Sequence, residues 1–319
     1  METPTLAIAL TLLTLFGLAV LAYPDHFIGT KARPDLPGPR GIPLLGNILQ
    51  ILPHRRRMLQ CLSELERHYG ELFTFTMPGR GRTIVVNRPE WLEHMRTNDG
   101  TKYSKGSTVL AVFKEFPGAR GAFGSEGQLW KHSRRIMQPV FMSLSFYRHV
   151  TRALDEIIPV LQTFLHNAAE SGVAFDFNEF RGKYALEVLC KATINLDTSV
   201  LTSDPGCLSE NHQMMHTVSV LNRISSGRFH NPLWRLTEML DGSRAAFHSA
   251  RQDLFAVVEK LIRDRKATAD LDGDFLSALL SNPSITEPVL RDTLITLLFA
   301  GRDMTQNALA WSLYELARC

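Results

Sequence analysis

The chain has 319 residues, 45% of them apolar, which is enough to fill a sizeable core. Its 35 Lys and Arg stand against 32 Asp and Glu, for a formal charge of +3, and this near balance gives no support to a nucleic-acid partner. The four cysteines, Cys61, Cys190, Cys207 and Cys319, lack any paired short spacing, which argues against a disulfide scaffold or a structural zinc site and for reduced thiols.

In chain order, the first element is the uncharged run Leu6 to Tyr23, near the length of a membrane span. Glu2 precedes it, whereas Lys31, Arg33 and Arg40 follow, a difference that predicts a cytoplasmic body behind a retained single-pass anchor over residues 1–24. A cleaved signal peptide is the alternative, but the basic start and small-residue cleavage pattern are poor. Residues 25–43 form a proline- and glycine-rich linker, and residues 44–319 form the body. Arg57 to Tyr69 has helical apolar spacing and Gly70 to stop it. Leu72 to Met77 and Thr83 to Asn87 predict two strands about the turn Pro78-Gly79-Arg80-Gly81, and Pro89 to Arg96 a short helix.

Thr101 to Glu126, glycine-rich with Phe113, Phe116 and Phe123, predicts a long ordered loop with an apolar inner side. A helix follows from Ser125 to Gln138, with Trp130 and Arg134 one turn apart on one face. An arginine fork beside an indole donor suits a carboxylate partner; the plainer reading is a core tryptophan and a surface charge. Tyr147 to Glu170 and Phe177 to Leu196 are further helices, the second with Cys190 as a small core hydrophobe. Leu208 to Leu221 and Leu236 to Arg265 are helices separated by a bridge, residues 222–235. There Phe229, Leu233 and Trp234 mix with basic residues, as suits a membrane headgroup layer. His212, His216 and His230 lack the carboxylate context of a metal site, and no metal ligand is assigned. Leu271 to Leu280 predicts a short helix.

The last stretch, Ser284 to Cys319, predicts one long helix. Ser284-Ile285-Thr286-Glu287 has capping-box spacing, and Pro288 suits a first turn. A mainly apolar run from Val289 to Ala317 is interrupted at Gly301-Arg302-Asp303-Met304-Thr305-Gln306-Asn307. Gly301 leaves a gap against which a flat ligand can lie, with Asp303 and Thr305 beside it. The plainer reading has Gly301 permitting a close helix crossing, Asp303 pairing with Arg302, and Thr305 bonded to its own backbone.

Three motifs in order carry a resemblance. Ala300-Gly301-Arg302-Asp303-Met304-Thr305 resembles the oxygen-binding centre of the haem-thiolate monooxygenases, the cytochrome P450 superfamily. Trp130-Lys131-His132-Ser133-Arg134 resembles that family's tryptophan and arginine pair at a haem propionate. Leu36-Pro37-Gly38-Pro39-Arg40-Gly41-Ile42-Pro43, followed by Leu45-Gly46-Asn47, resembles its hinge. The resemblance implies a mainly α fold: the amino-terminal portion of the cytochrome P450 fold with a small β hairpin, preceded by a transmembrane helix. It looks closest to the fungal fatty-acid and alkane hydroxylase-like branch.

What this implies for function is a membrane-bound, haem-dependent monooxygenase acting on a lipophilic fatty-acyl, alkyl or secondary-metabolite substrate. NADPH-cytochrome P450 reductase and membrane lipid are the implied partners, and the endoplasmic reticulum membrane the location. Trp130 and Arg134, with Ala300 and Gly301, would hold the haem, and Asp303 and Thr305 would move protons. Met304 stands where the family usually has a threonine, and a thioether cannot donate a hydrogen bond. None of the four cysteines lies in the family's glycine-rich thiolate loop, so the resemblance implies an incomplete catalytic domain, inactive as this chain. A non-catalytic remnant serving as a binding or scaffold protein is the alternative.

Overall fold

The chain divides into two units, Met1–Ser104 with Ser226–Leu240, and Lys105–Ser225 with Asp241–Cys319. The computed structural model describes residues 3–54, 57–172, 174–231, 233–268 and 273–318. Both units are mainly helical, and the sheet is one small antiparallel hairpin.

In the first unit, α1 runs Thr3–Ala22, and a short turn α2, Ile48–Ile51, precedes α3, Met58–Tyr69. Strands β1, Leu72–Met77, and β2, Gly81–Val86, pair with Phe75 opposite Thr83. Phe73, Phe75 and Met77 alternate inward and meet Ile51 and Cys61 in a small core. The proline-rich segment lies against β1. The Thr74 amide donates to Pro37 O at 2.8 Å, and a Cβ at Gly38 would stand 2.0 Å from Thr74 O, so only glycine fits there. Helix α4, Pro89–Thr97, follows.

The anchor expected at residues 1–24 is corrected. Among the described residues no helix is long and apolar enough to cross a membrane. Helix α1, Thr3–Ala22, ends before Tyr23, the last residue of the uncharged run. The endoplasmic-reticulum, single-pass placement with a cytoplasm-facing body falls with it, as does membrane lipid as a partner.

In the second unit, the expected loop after Thr101 is partly helical: α5 covers Gly106–Phe113 and a single wide turn Lys114–Gly118. Glycine spacing concealed the unbroken Thr108-Val109-Leu110-Ala111-Val112-Phe113 run that forms that helix. Helices α6, Gly127–Phe141, α7, Leu144–Ser171, and α8, Phe177–Ile194, follow close to expectation. Ser143 caps α7 by accepting from the Phe146 amide, and Gly172 ends it in the left-handed conformation.

Helix α9, Gln213–His230, is continuous through most of the expected bridge, and α10 covers Trp234–Leu240. Trp234 is only 6% exposed because Arg228 stacks on it and pairs with Glu238. A membrane-facing role for this tryptophan is therefore corrected too. Helices α11, Ser243–Thr268, and α12, Phe275–Leu280, lead to α13, Glu287–Leu316. The calls at Leu271 and Cys319 lie outside the described residues. The expected capping box is not formed: Thr286 is the N-cap without a side-chain bond, and the Ser284 hydroxyl turns to Asn282 Oδ1.

The main core gathers Leu186 and Cys190 of α8, Phe247, Leu254 and Val258 of α11, Phe275 and Leu279 of α12, and Leu290, Leu294 and Ile295 of α13. Helix α8 is buried along most of its length, which suits a central helix with α7 and α13 packed on it.

Candidate functional site

The candidate residues all lie in the second unit, on α6 and α13. A loop between Gly118 and Glu126 joins these helices. The Arg120 amide donates to Asp292 Oδ2 of α13 at 3.0 Å, and Arg120 O accepts from Ser133 Oγ of α6 at 2.9 Å. The loop lies so close to α13 that a Cβ at Gly118 would meet Asp292 Cγ at 2.5 Å. Aromatic packing extends the link: Phe123 and Phe116 both meet Phe299 edge-on, at 5.9 and 5.4 Å between centroids. Phe116 and Phe123 thus sit as the predicted apolar inner side, against the residue preceding Ala300, and Phe113 packs on Phe123.

One charge holds the loop closed. Lys105 Nζ donates to the carbonyls of Ala122, Phe123 and Ser125 at 2.7, 3.1 and 2.8 Å, and the Lys105 amide donates to the Glu126 carboxylate.

On α6, Ser133 and Ile136 face inward, leaving Trp130 half-buried and Arg134 exposed. The guanidinium stands 6.0 Å from the indole centroid. Among the described residues neither the Arg134 guanidinium nor the Trp130 indole N–H has a hydrogen-bond or ion-pair partner. One helix face therefore presents a fork of donors and an indole donor with no anion of the protein to meet them.

On α13 the predicted residues are less open. The gap at Gly301 faces α8: a Cβ there would meet Leu189 Cδ1 at 2.7 Å, a close helix crossing. Asp303 accepts from Asn222 Nδ2 and Gln306 Nε2, each at 2.9 Å, and lies 3.4 Å from Arg302 Nη1. Burial raises its pKa above the ordinary carboxylate value, against the pull of Arg302 and Arg181. Arg302 is 6% exposed, its Nε has no partner, and burial lowers its pKa. Thr305 donates to Gly301 O at 2.8 Å, and Met304 is exposed.

Sequence reasoning passed over Asp292, Asn222 and Gln306. Asp292 carried a signal, a carboxylate inside the apolar face of the long helix. Asn222 carried none, because its partner lies 81 residues away.

The cytochrome P450 family model matches residues 36–319. The chain belongs to this family of haem proteins. Among curated relatives, cytochrome P450 monooxygenase cyp1 of Mycosarcoma maydis is 26% identical over 92% of this chain and 47% of its own length. Cytochrome P450 94B1 of Arabidopsis thaliana is 27% identical over 98% and 62%, and cytochrome P450 94A1 of Vicia sativa 25% over 87% and 55%. The chain spans about half the length of the curated relatives it matches. Two finer expectations are corrected. Relatives from three organisms match about equally, so no fungal branch is singled out. The match runs over nearly the whole chain and gives no support to the inactive remnant.

The donor set on α6 fits the anionic edge of a haem. The described cysteines do not fit as iron ligands. Cys61, Cys190 and Cys207 are all buried, and burial with Glu187 nearby pushes the Cys190 thiol up to about 12.

Proposed function

We infer that the protein is a haem-dependent monooxygenase acting on a lipophilic substrate, with NADPH-cytochrome P450 reductase as electron donor. The observation that carries the reading is the unpartnered Trp130 and Arg134 pair, on a helix tied through Ser133 and Arg120 to Asp292 of the long helix. Haem, when bound, supplies the oxygen and one-electron chemistry that side chains lack.

The residues of this chain do the rest. Arg134 and Trp130 hold a propionate by charge-assisted hydrogen bonds. Asp303, with its pKa raised by burial, keeps a proton to a higher pH than an exposed carboxyl, while Asn222 and Gln306 fix its orientation. Thr305 spends its hydroxyl hydrogen on Gly301 O, leaving its oxygen as an acceptor for a proton-carrying water. Phe116, Phe123 and Phe299 keep the neighbourhood apolar and suit a lipophilic substrate.

Haem titration of the chain, followed by its absorption change, tests the clamp. Uptake should be stoichiometric and weakened about tenfold or more in Arg134→Leu, with a smaller loss in Trp130→Phe. Equal haem affinity in the native chain and Arg134→Leu would overturn it.

A further inference from the structure

A cleft of about 350 Å³ opens in the second unit between the start of α9 and the middle of α11. Met214 and Thr217 lie one turn apart on α9, as do Asp253 and Val257 on α11, so each helix turns one face to it. Leu254, 3% exposed, and Met214 join the cleft to the main core, whereas Val257 is 44% exposed at its edge. None of the candidate haem residues lines it.

Two polar groups at this cleft are unused. His212 stands immediately before α9, where its carbonyl accepts from the His216 amide at 3.0 Å and so ties the residue to the helix. Its ring Nδ1 is nevertheless buried without a hydrogen-bond partner. Asp253 is exposed at the same cleft, and among the described residues its carboxylate has no hydrogen-bond or ion-pair partner. The described lining contains no lysine or arginine.

These groups select a ligand by what they lack. A carboxylate only accepts, and a neutral imidazole has one nitrogen that only accepts, so the cleft calls for donors. A second carboxylate would bring none and would repel Asp253. A hydroxyl would bring a single hydrogen and no charge. An ammonium brings three hydrogens and the opposite charge, so one head group can serve both acceptors. The positive start of α9 opposes a cation with about half a unit charge, which is less than the full charge of the carboxylate. A cavity of roughly 150 Å³ with apolar walls already takes a benzene ring, so there is room here for a run of methylenes as well.

The geometry points to a binding site for a primary alkylammonium, its head between Asp253 and Nδ1 of His212 and its chain against Met214, Leu254 and Val257. The carboxylate selects the cation over a neutral amphiphile, and the apolar walls select a chain over a small amine. The site does not depend on haem.

Calorimetric titration of the full 319-residue chain with octylamine, octanol and butylamine tests it, without added haem so that the amines have no iron to bind. Octylamine should bind about tenfold or more tighter than either octanol or butylamine. Asp253→Asn, at an exposed position, should bring octylamine to within about threefold of octanol, and His212→Leu should weaken octylamine about threefold or more. If His212→Leu does not fold, His212→Phe gives the same readout. Equal binding of octylamine and octanol by the native chain would overturn the proposal. So would butylamine matching octylamine, a preference that survives Asp253→Asn, or octylamine binding that ignores loss of the imidazole. The cleft shares no residue with the haem clamp, so failure of either leaves the other standing.

Discussion

Along α13, the residues from Val289 to Leu298 and those from Met304 to Leu316 are both rich in apolar side chains, yet their environments are opposite. In the first half Leu290, Leu294 and Ile295 are 3%, 1% and 0% exposed, and even Asp292 is 1%. In the second half Met304, Trp311 and Leu316 are 75%, 66% and 74% exposed. Composition therefore does not set burial along this helix. What sets it is that the loop at Gly118 to Phe123 and helix α11 reach the first half, at Asp292 and Arg291, while α8 follows the helix only as far as Asn307. Gly301, against Leu189, and the buried Arg302 stand at the transition.

The contrast can be tested, beginning with its largest expected effect. Asp292→Ala removes the acceptor of the buried Arg120 amide and one of the two carboxylates that pair with Arg291, and should cost about 3–5 kcal/mol in denaturant unfolding. Leu294→Ala should cost about 2–5 kcal/mol, whereas Leu316→Ala, with the same chemical change, should stay within about 0.5 kcal/mol. Equal losses would erase the distinction between the halves.

Gly301→Ala gains about 1 kcal/mol of helix propensity but presses on the end of the Leu189 side chain. The single variant should be close to neutral, and the gain should emerge in a Leu189→Ala background, read as a coupling in a double-mutant cycle. The smallest effect concerns pH. Asp303 has a folded pKa raised by burial, so the folded state binds the proton more tightly than the unfolded state. Its contribution is then fully favourable below the unfolded carboxylate value and is lost as pH rises through the folded value. Asp303→Asn should accordingly raise the melting temperature at pH 7 and leave it unchanged near pH 3. A variant that lowers it at pH 7 would show that the bonds from Asn222 and Gln306 outweigh desolvation.

Local signals were legible wherever a residue's neighbours in sequence are its neighbours in space. The hairpin at Pro78 to Gly81, the stop at Gly70 and the pairing of Trp130 with Arg134 are all of this kind. The long helix could be read from its length, but not which half is covered, because its covering partners come from elsewhere in the chain. Residues 222–235 misled for a related reason. Aromatic and basic residues together fit a membrane surface as well as they fit Arg228 stacked on Trp234, and only the buried Glu238 decides between them. The first segment misled because an uncharged run near the length of a membrane span need not form a helix long and apolar enough to cross one.

The Lys105 clasp has a consequence for how this sequence can drift. An ammonium group has no fixed plane and its three hydrogens can turn, so it constrains distance more than angle. The loop acceptors it meets are main-chain carbonyls, at Ala122, Phe123 and Ser125. A change of side chain at Ala122 leaves its carbonyl in place provided the backbone keeps its path, whereas Phe123 also packs on Phe299 and Ser125 Oγ donates to Gly121 O. Lys105 has no such latitude. Mutational tolerance is thus divided unequally, with Ala122 freer to change than the lysine that holds its carbonyl.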